Sequence, residues 1–120
     1  MKNLFDKVSY ECSKQVTVNY STSFSLAVRM LSKSIQDDIH AIYGFVRFAD
    51  EIVDTFHDFE KETLLNEFER ELKLSLLRGI SLNPILNSFQ FVVKKYNIEY
   101  ELVNSFLSGM RADLHKQEYS

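Results

Sequence analysis

Apolar residues recur along the chain at intervals of three and four, the period of a helix face. Leu4, Phe5, Val8, Cys12 and Val16 form the first such stripe, with Tyr10 off it. The pattern predicts an amphipathic helix that buries this stripe and frays near Thr17–Asn19, where β-branched residues and Asn weaken it. The polar run Tyr20-Ser21-Thr22-Ser23 follows, and Ser21, Thr22 or Ser23 can each cap a short helix over Phe24–Leu31. Ser34 with Asp37 three residues on makes a capping-box-like start. From there Ile35, Ile39, Ile42, Tyr43, Val46, Ala49, Val53 and Phe56 predict a helix to about His57, roughly 35 Å long at 1.5 Å per residue. Asp58 or Phe59 breaks it. Leu64, Leu65, Phe68, Leu72, Leu76 and Leu77 define the next helix, ended by Gly79. Asn83-Pro84 opens another, closed by Asn97. Leu102, Val103, Phe106, Leu107, Met110 and Leu114 mark the last. No stop signal follows, so the sequence reads as the front part of a longer protein.

The expected fold class is therefore all-α, a bundle of about five or six helices. Residues 1–120 form one domain unit, with the Ser34–His57 helix central and most buried. Three glycines and one proline in 120 residues agree with long helices and short connections. A net charge of −3 is unlike a nucleic-acid binder, so no nucleic-acid partner is expected. The single cysteine, Cys12, excludes an intrachain disulfide. With no secretory leader and no run of roughly 18 apolar residues, the expected location is cytoplasmic, with peripheral membrane contact left open.

The segment Tyr43-Gly44-Phe45-Val46-Arg47-Phe48-Ala49-Asp50-Glu51-Ile52-Val53-Asp54 carries the chemistry. On a helix, Asp50 and Asp54 project from one face about 6 Å apart at Cβ, with Arg47 and Tyr43 on the same stripe. The flanks are apolar, and carboxylates in such surroundings are costly unless paired or metal-bound. Two readings follow from the spacing. In one, Arg47 and Asp50 are an ion pair that sets helix packing. In the other, two hard carboxylates hold a divalent cation and Arg47 binds an anion.

Asp50-Glu51-Ile52-Val53-Asp54, preceded by Ala41-Ile42-Tyr43 and Arg47, resembles the first aspartate-rich motif of the squalene and phytoene synthases. Tyr20-Ser21-Thr22-Ser23-Phe24 resembles that family's hydroxyl-rich element. Gly109-Met110-Arg111-Ala112-Asp113-Leu114, with Tyr119 behind, resembles a segment that brings another acidic residue toward the metals. The three matches stand in the family's order.

The resemblance implies an all-helical isoprenoid-synthase bundle and a transferase that joins two prenyl diphosphates, farnesyl or geranylgeranyl, head to head. It implies Asp50 and Asp54 as ligands of Mg²⁺, with Mn²⁺ as an alternative, and Asp50, Asp54 and Arg47 as the catalytic set. Arg47, Ser21, Thr22, Ser23 and Asp113 would serve the diphosphate side of the substrate site. Phe24, Tyr43 and Val46 would line the prenyl tunnel. The family carries a second aspartate-rich motif on a later helix, absent here, so these residues alone are expected to be inactive and to self-associate through uncovered apolar surface. Product identity and any use of NADPH stay open.

Other signals are weaker. Asp54 and His57 match the carboxylate-x-x-His of di-iron bundles, which needs a second copy that is not seen. Cys12 reads as a packed thiol and His40 as a solvated neighbour of Asp37 and Asp38. Lys94, Lys95 and Lys116 read as surface charges. The competing class is a non-catalytic helical scaffold that keeps the same fold.

Overall fold

A computed structural model describes residues 1–118, with side chains to Gln117. Tyr119, the tail of one motif above, lies outside the described residues. Six helices follow one another: α1 (Lys2–Tyr20), α2 (Thr22–Val28), α3 (Lys33–Asp54), α4 (Lys61–Arg78), α5 (Pro84–Lys95) and α6 (Tyr100–Glu118). No strand occurs among the described residues. The all-α expectation holds.

The terminators act through the chemistry their residue types carry. Gly79 adopts φ 78, the left-handed region, and its N–H donates 2.8 Å to the Ser75 carbonyl. The Asn83 side chain accepts from the N–H groups of Ile85 and Leu86, with Pro84 in the first turn. Asn97 turns the chain at φ 52 after α5.

The core forms where α3, α4, α5 and α6 meet. Phe45 stacks on Phe89 with centroids 4.0 Å apart and on Phe68 at 5.4 Å, and Leu65, Leu72, Leu86 and Leu107 close around them. Helix α1 packs against α3 and α5 without contributing to this cluster.

Several expectations need correction. The buried face of α1 is not the Leu4/Val8 stripe but Ser9, Ser13 and Thr17, all fully buried, while Leu4 and Val8 are exposed. The hydroxyls pair locally or across helices: Ser9 to the Phe5 carbonyl, Thr17 to the Ser13 carbonyl, and Ser13 to Ser88. Once satisfied, small polar side chains let helix backbones approach more closely than leucines would. Thr17, held in this way, does not fray, and α1 runs on to Tyr20. Helix α3 begins at Lys33 with Ser32 at its cap and no side-chain cap bond, so the Ser34/Asp37 capping box does not form. It ends at Asp54, three residues short of His57, where Lys61 donates to the Val53 carbonyl and a turn over residues 55–59 takes over.

The most buried helix is α5, with eight of its 12 residues buried against eight of 22 in α3. Ile35, Ile42 and Val46 leave one face of α3 uncovered. His40 and Asp38 are both buried rather than solvated. Asp38 accepts from Lys95 at 2.8 Å and from the Tyr96 hydroxyl at 2.6 Å, which draws it inward and makes Lys95 more than a surface charge. Cys12 is a half-buried free thiol.

Candidate functional site

Tyr43, Arg47, Asp50 and Asp54 are spaced four, three and four residues apart along α3, so one helical face carries all four. The Arg47 guanidinium donates through Nη1 to Asp50 at 3.0 Å and through Nη2 to Glu51 at 3.1 Å. Its plane lies over the Tyr20 ring, 4.5 Å from the centroid. Thr55 Oγ1 donates to Glu51, and the Glu51 carboxylate beside the Tyr20 hydroxyl pushes the Tyr20 pKa up. The Arg47 Nε is buried without a hydrogen-bond partner.

The two neighbouring acids sit in opposite electrostatic situations. Burial, and then the neighbouring Asp54, push the Asp50 pKa up against the pull of Arg47. The hydroxyls of Thr55 and then Tyr20, with Arg47 added, outweigh burial and hold the Glu51 pKa down. Burial pulls the Arg47 pKa down, but Glu51 and then Asp50 outweigh it and the net direction is up. Glu51 is therefore satisfied by protein donors, whereas Asp50 and Asp54 crowd each other. Two hard carboxylates in mutual repulsion suit a divalent cation, which would remove the repulsion and accept both as ligands. The residues fit Mg²⁺ as a partial ligand set. No group of three or more His, Cys, Asp or Glu side chains converges among the described residues.

The hydroxyl-rich element sits at the α1–α2 junction. Ser21 is extended at φ −148 and ψ 92, and its Oγ accepts from the Phe24 N–H at 3.2 Å, so it is the N-cap of α2. Thr22 and Ser23 lie exposed in the first turn. Phe24 stacks on Tyr43 with centroids 5.1 Å apart, which fixes α2 to the aspartate-bearing helix. Val46 is exposed on the same helix. Asp113 is exposed on α6. The structure thus joins Arg47 to Asp50 and Phe24 to Tyr43, with Tyr20 bridging to the hydroxyl element. A cleft of about 370 Å³ opens on the Glu51 side of α3, bounded by Tyr20, Phe48, Phe56 and Phe68, and neither Asp50 nor Asp54 lines it.

Sequence reasoning gave no role to Glu51, Thr55 or Tyr20. The first two were legible, because Arg47, Glu51 and Thr55 follow one another at four-residue intervals. Tyr20 was not, since its contact depends on how α1 docks.

The sequence profile of the squalene/phytoene synthase family matches residues 17–120, which include every residue of this constellation. The chain belongs to that family. Among its relatives, the phytoene synthase of Arthrospira platensis is 26% identical over 114 residues, covering 93% of this chain and 36% of the relative. Phytoene synthase 1 of Zea mays, chloroplastic, is 24% identical over 115 residues, covering 95% of this chain and 28% of the relative. The crystal structure of squalene synthase HpnC from Alicyclobacillus acidocaldarius superposes with a TM-score of 0.77 at 21% identity, over 93% of this chain and 41% of that one. The family member described here thus has the fold of part of HpnC and spans about a third of the curated relatives. No helix among the described residues is long and apolar enough to cross a membrane.

Proposed function

We propose that this chain contributes the first diphosphate and metal site of a head-to-head prenyltransferase of the phytoene or squalene synthase type. On this reading residues 1–120 are the N-terminal part of a single isoprenoid-synthase domain and are inactive by themselves. Asp50 and Asp54 would hold Mg²⁺ or Mn²⁺, which supplies positive charge to a departing diphosphate. Arg47 would pair with diphosphate oxygens, and the hydroxyls of Ser21, Thr22 and Ser23 would donate to the same group. Phe24, Tyr43 and Val46 would shield the prenyl chain of farnesyl or geranylgeranyl diphosphate. Asp113 would add a carboxylate from α6.

The observation that carries this reading is the division of labour on α3. Glu51 already supplies a carboxylate partner to Arg47, yet Asp50 and Asp54 stand together one turn apart beside it. Titration calorimetry with Mg²⁺ and inorganic pyrophosphate tests it. Asp50→Asn should weaken metal-dependent binding at least tenfold, because an amide brings no charge to the cation.

The 3.0 Å contact between Arg47 and Asp50 also favours a second reading, a structural ion pair in a non-catalytic scaffold. That reading forecasts unchanged pyrophosphate affinity for Asp50→Asn. It also forecasts a stability loss on replacing either residue alone, recovered by the double apolar replacement Arg47→Met with Asp50→Leu.

A further inference from the structure

We propose that Glu51 is a positioning residue for Arg47, and that Glu51 and Tyr20 together clamp the guanidinium and tie the hydroxyl-rich α1–α2 junction to α3. The inference rests on the diphosphate reading of the site and adds the device that aims its cation.

Arg47 is contacted on three sides: Nη1 by Asp50, Nη2 by Glu51, and one face by the Tyr20 ring. The two carboxylates differ in what else they hold. The Glu51 side chain is 13% exposed and accepts from Thr55 and Arg47. The Asp50 side chain is 34% exposed and faces the charge of Asp54. If Asp50 turns toward a cation, Arg47 loses that partner but keeps Glu51 and the aromatic face. A long side chain that is already held spends less rotamer entropy when it meets an anion, and its planar fork stays in a fixed direction. The neutral hydroxyl of Thr55 is suited to this task. It orients the Glu51 carboxylate without cancelling the charge that attracts Arg47.

The same clamp works across the fold. Tyr20 is the last residue of α1 and immediately precedes Ser21-Thr22-Ser23. Its ring under Arg47 therefore ties those three hydroxyls to the helix that carries Asp50 and Asp54. One residue fixes the register between the two elements that the diphosphate reading needs side by side.

Two measurements on the whole chain test the proposal. The first is ¹⁵N NMR of the Arg47 side chain, which reads rotation of the guanidinium directly. It should be restrained in the parent and freed in Glu51→Gln and Tyr20→Leu. The second is calorimetric titration with magnesium and inorganic pyrophosphate. Affinity should fall about tenfold in Glu51→Gln, which loses a charge-assisted hydrogen bond, and about threefold in Tyr20→Leu, which loses the aromatic face. A merely structural role would shift the melting temperature of Tyr20→Leu without changing affinity. Unchanged or tighter pyrophosphate binding in both variants, or an Arg47 side chain equally restrained in both, would overturn the clamp. A parent that shows a restrained Arg47 but binds no pyrophosphate would overturn the diphosphate reading itself, and the positioning role with it.

Discussion

Ser13 and Ser88 meet hydroxyl to hydroxyl at 2.7 Å, although 75 residues separate them in the chain. The Ser88 hydroxyl also bonds the Ile85 carbonyl at 3.2 Å, so this contact joins α1 to the first turn of α5. On its other side Ser13 abuts Gly44 of α3, where a Cβ would lie 3.2 Å from Ser13 Oγ and 3.5 Å from Ser13 Cα. Three helices thus converge on one serine, and the aspartate-bearing helix takes its position from that junction.

Gly44→Ala is expected to destabilise the protein. Helix propensity favours alanine by about 1 kcal/mol, but overpacking a tight contact costs about 1–3 kcal/mol. The Ser13 hydroxyl is held by Ser88 and cannot swing aside without losing that bond, so the crowding term should win by about 1 kcal/mol. Urea denaturation measures the difference, and a variant more stable than the parent would show that α1 shifts freely.

Asn87→Ala should cost more, about 2–3 kcal/mol. Fully buried, Asn87 donates to Asp6 and Ser9 and accepts from the Ser81 N–H at 3.1 Å. Truncation removes one partner each from Asp6 and Ser9 on α1 and the side-chain acceptor of the Ser81 N–H on the α4–α5 loop. Ser9→Ala removes a single member and should cost less. A double variant less destabilised than the sum of the singles would confirm one shared network.

His40 predicts a pH dependence. Burial first, and then the charge of Lys14, lower its pKa against the opposing pull of Asp37. The folded state therefore binds a proton less readily than the unfolded chain. The stabilisation from keeping His40 neutral is complete above its unfolded pKa of about 6.5 and is lost as pH falls below that value. Urea midpoints between pH 7.5 and pH 5 should fall more steeply for the parent than for His40→Gln. Parallel pH profiles would contradict this assignment.

The uncovered face of α2 and α3 predicts self-association. Phe24, Leu26, Leu31, Ile35, Ile42 and Val46 are each between 36% and 54% exposed. Large apolar side chains left in water in this number favour contact with another apolar surface. Sedimentation velocity at rising concentration should show reversible oligomers, and Ile42→Lys should shift the distribution toward monomer. A parent that stays monomeric at high concentration would argue that the face is tolerated in water.

The amino-acid sequence by itself determined the helices and the chemistry along one of them. Periodicity, Gly79, Asn83-Pro84 and Asn97 act within a few residues, so their effects are legible without knowing the fold. The i, i+3 and i, i+4 relations of Arg47 to Asp50 and Glu51 are equally local, and the Ser21-to-Phe24 cap was among the alternatives the sequence offered.

What depended on distant partners was decided by tertiary structure. Ser9, Ser13 and Thr17 look like the solvent side of α1 until Asn87, Ser88 and Gly44 supply something for that face to pack against. Burial of His40 and Asp38 follows from α1 and α5 closing over α3, with Lys95 and Tyr96 satisfying the carboxylate. Tyr20 reaches Arg47 and Glu51 only because α1 continues for its full length. A polar side chain can lie inside a protein wherever another segment completes its hydrogen bonds, and hydropathy along the chain does not record which segment that will be.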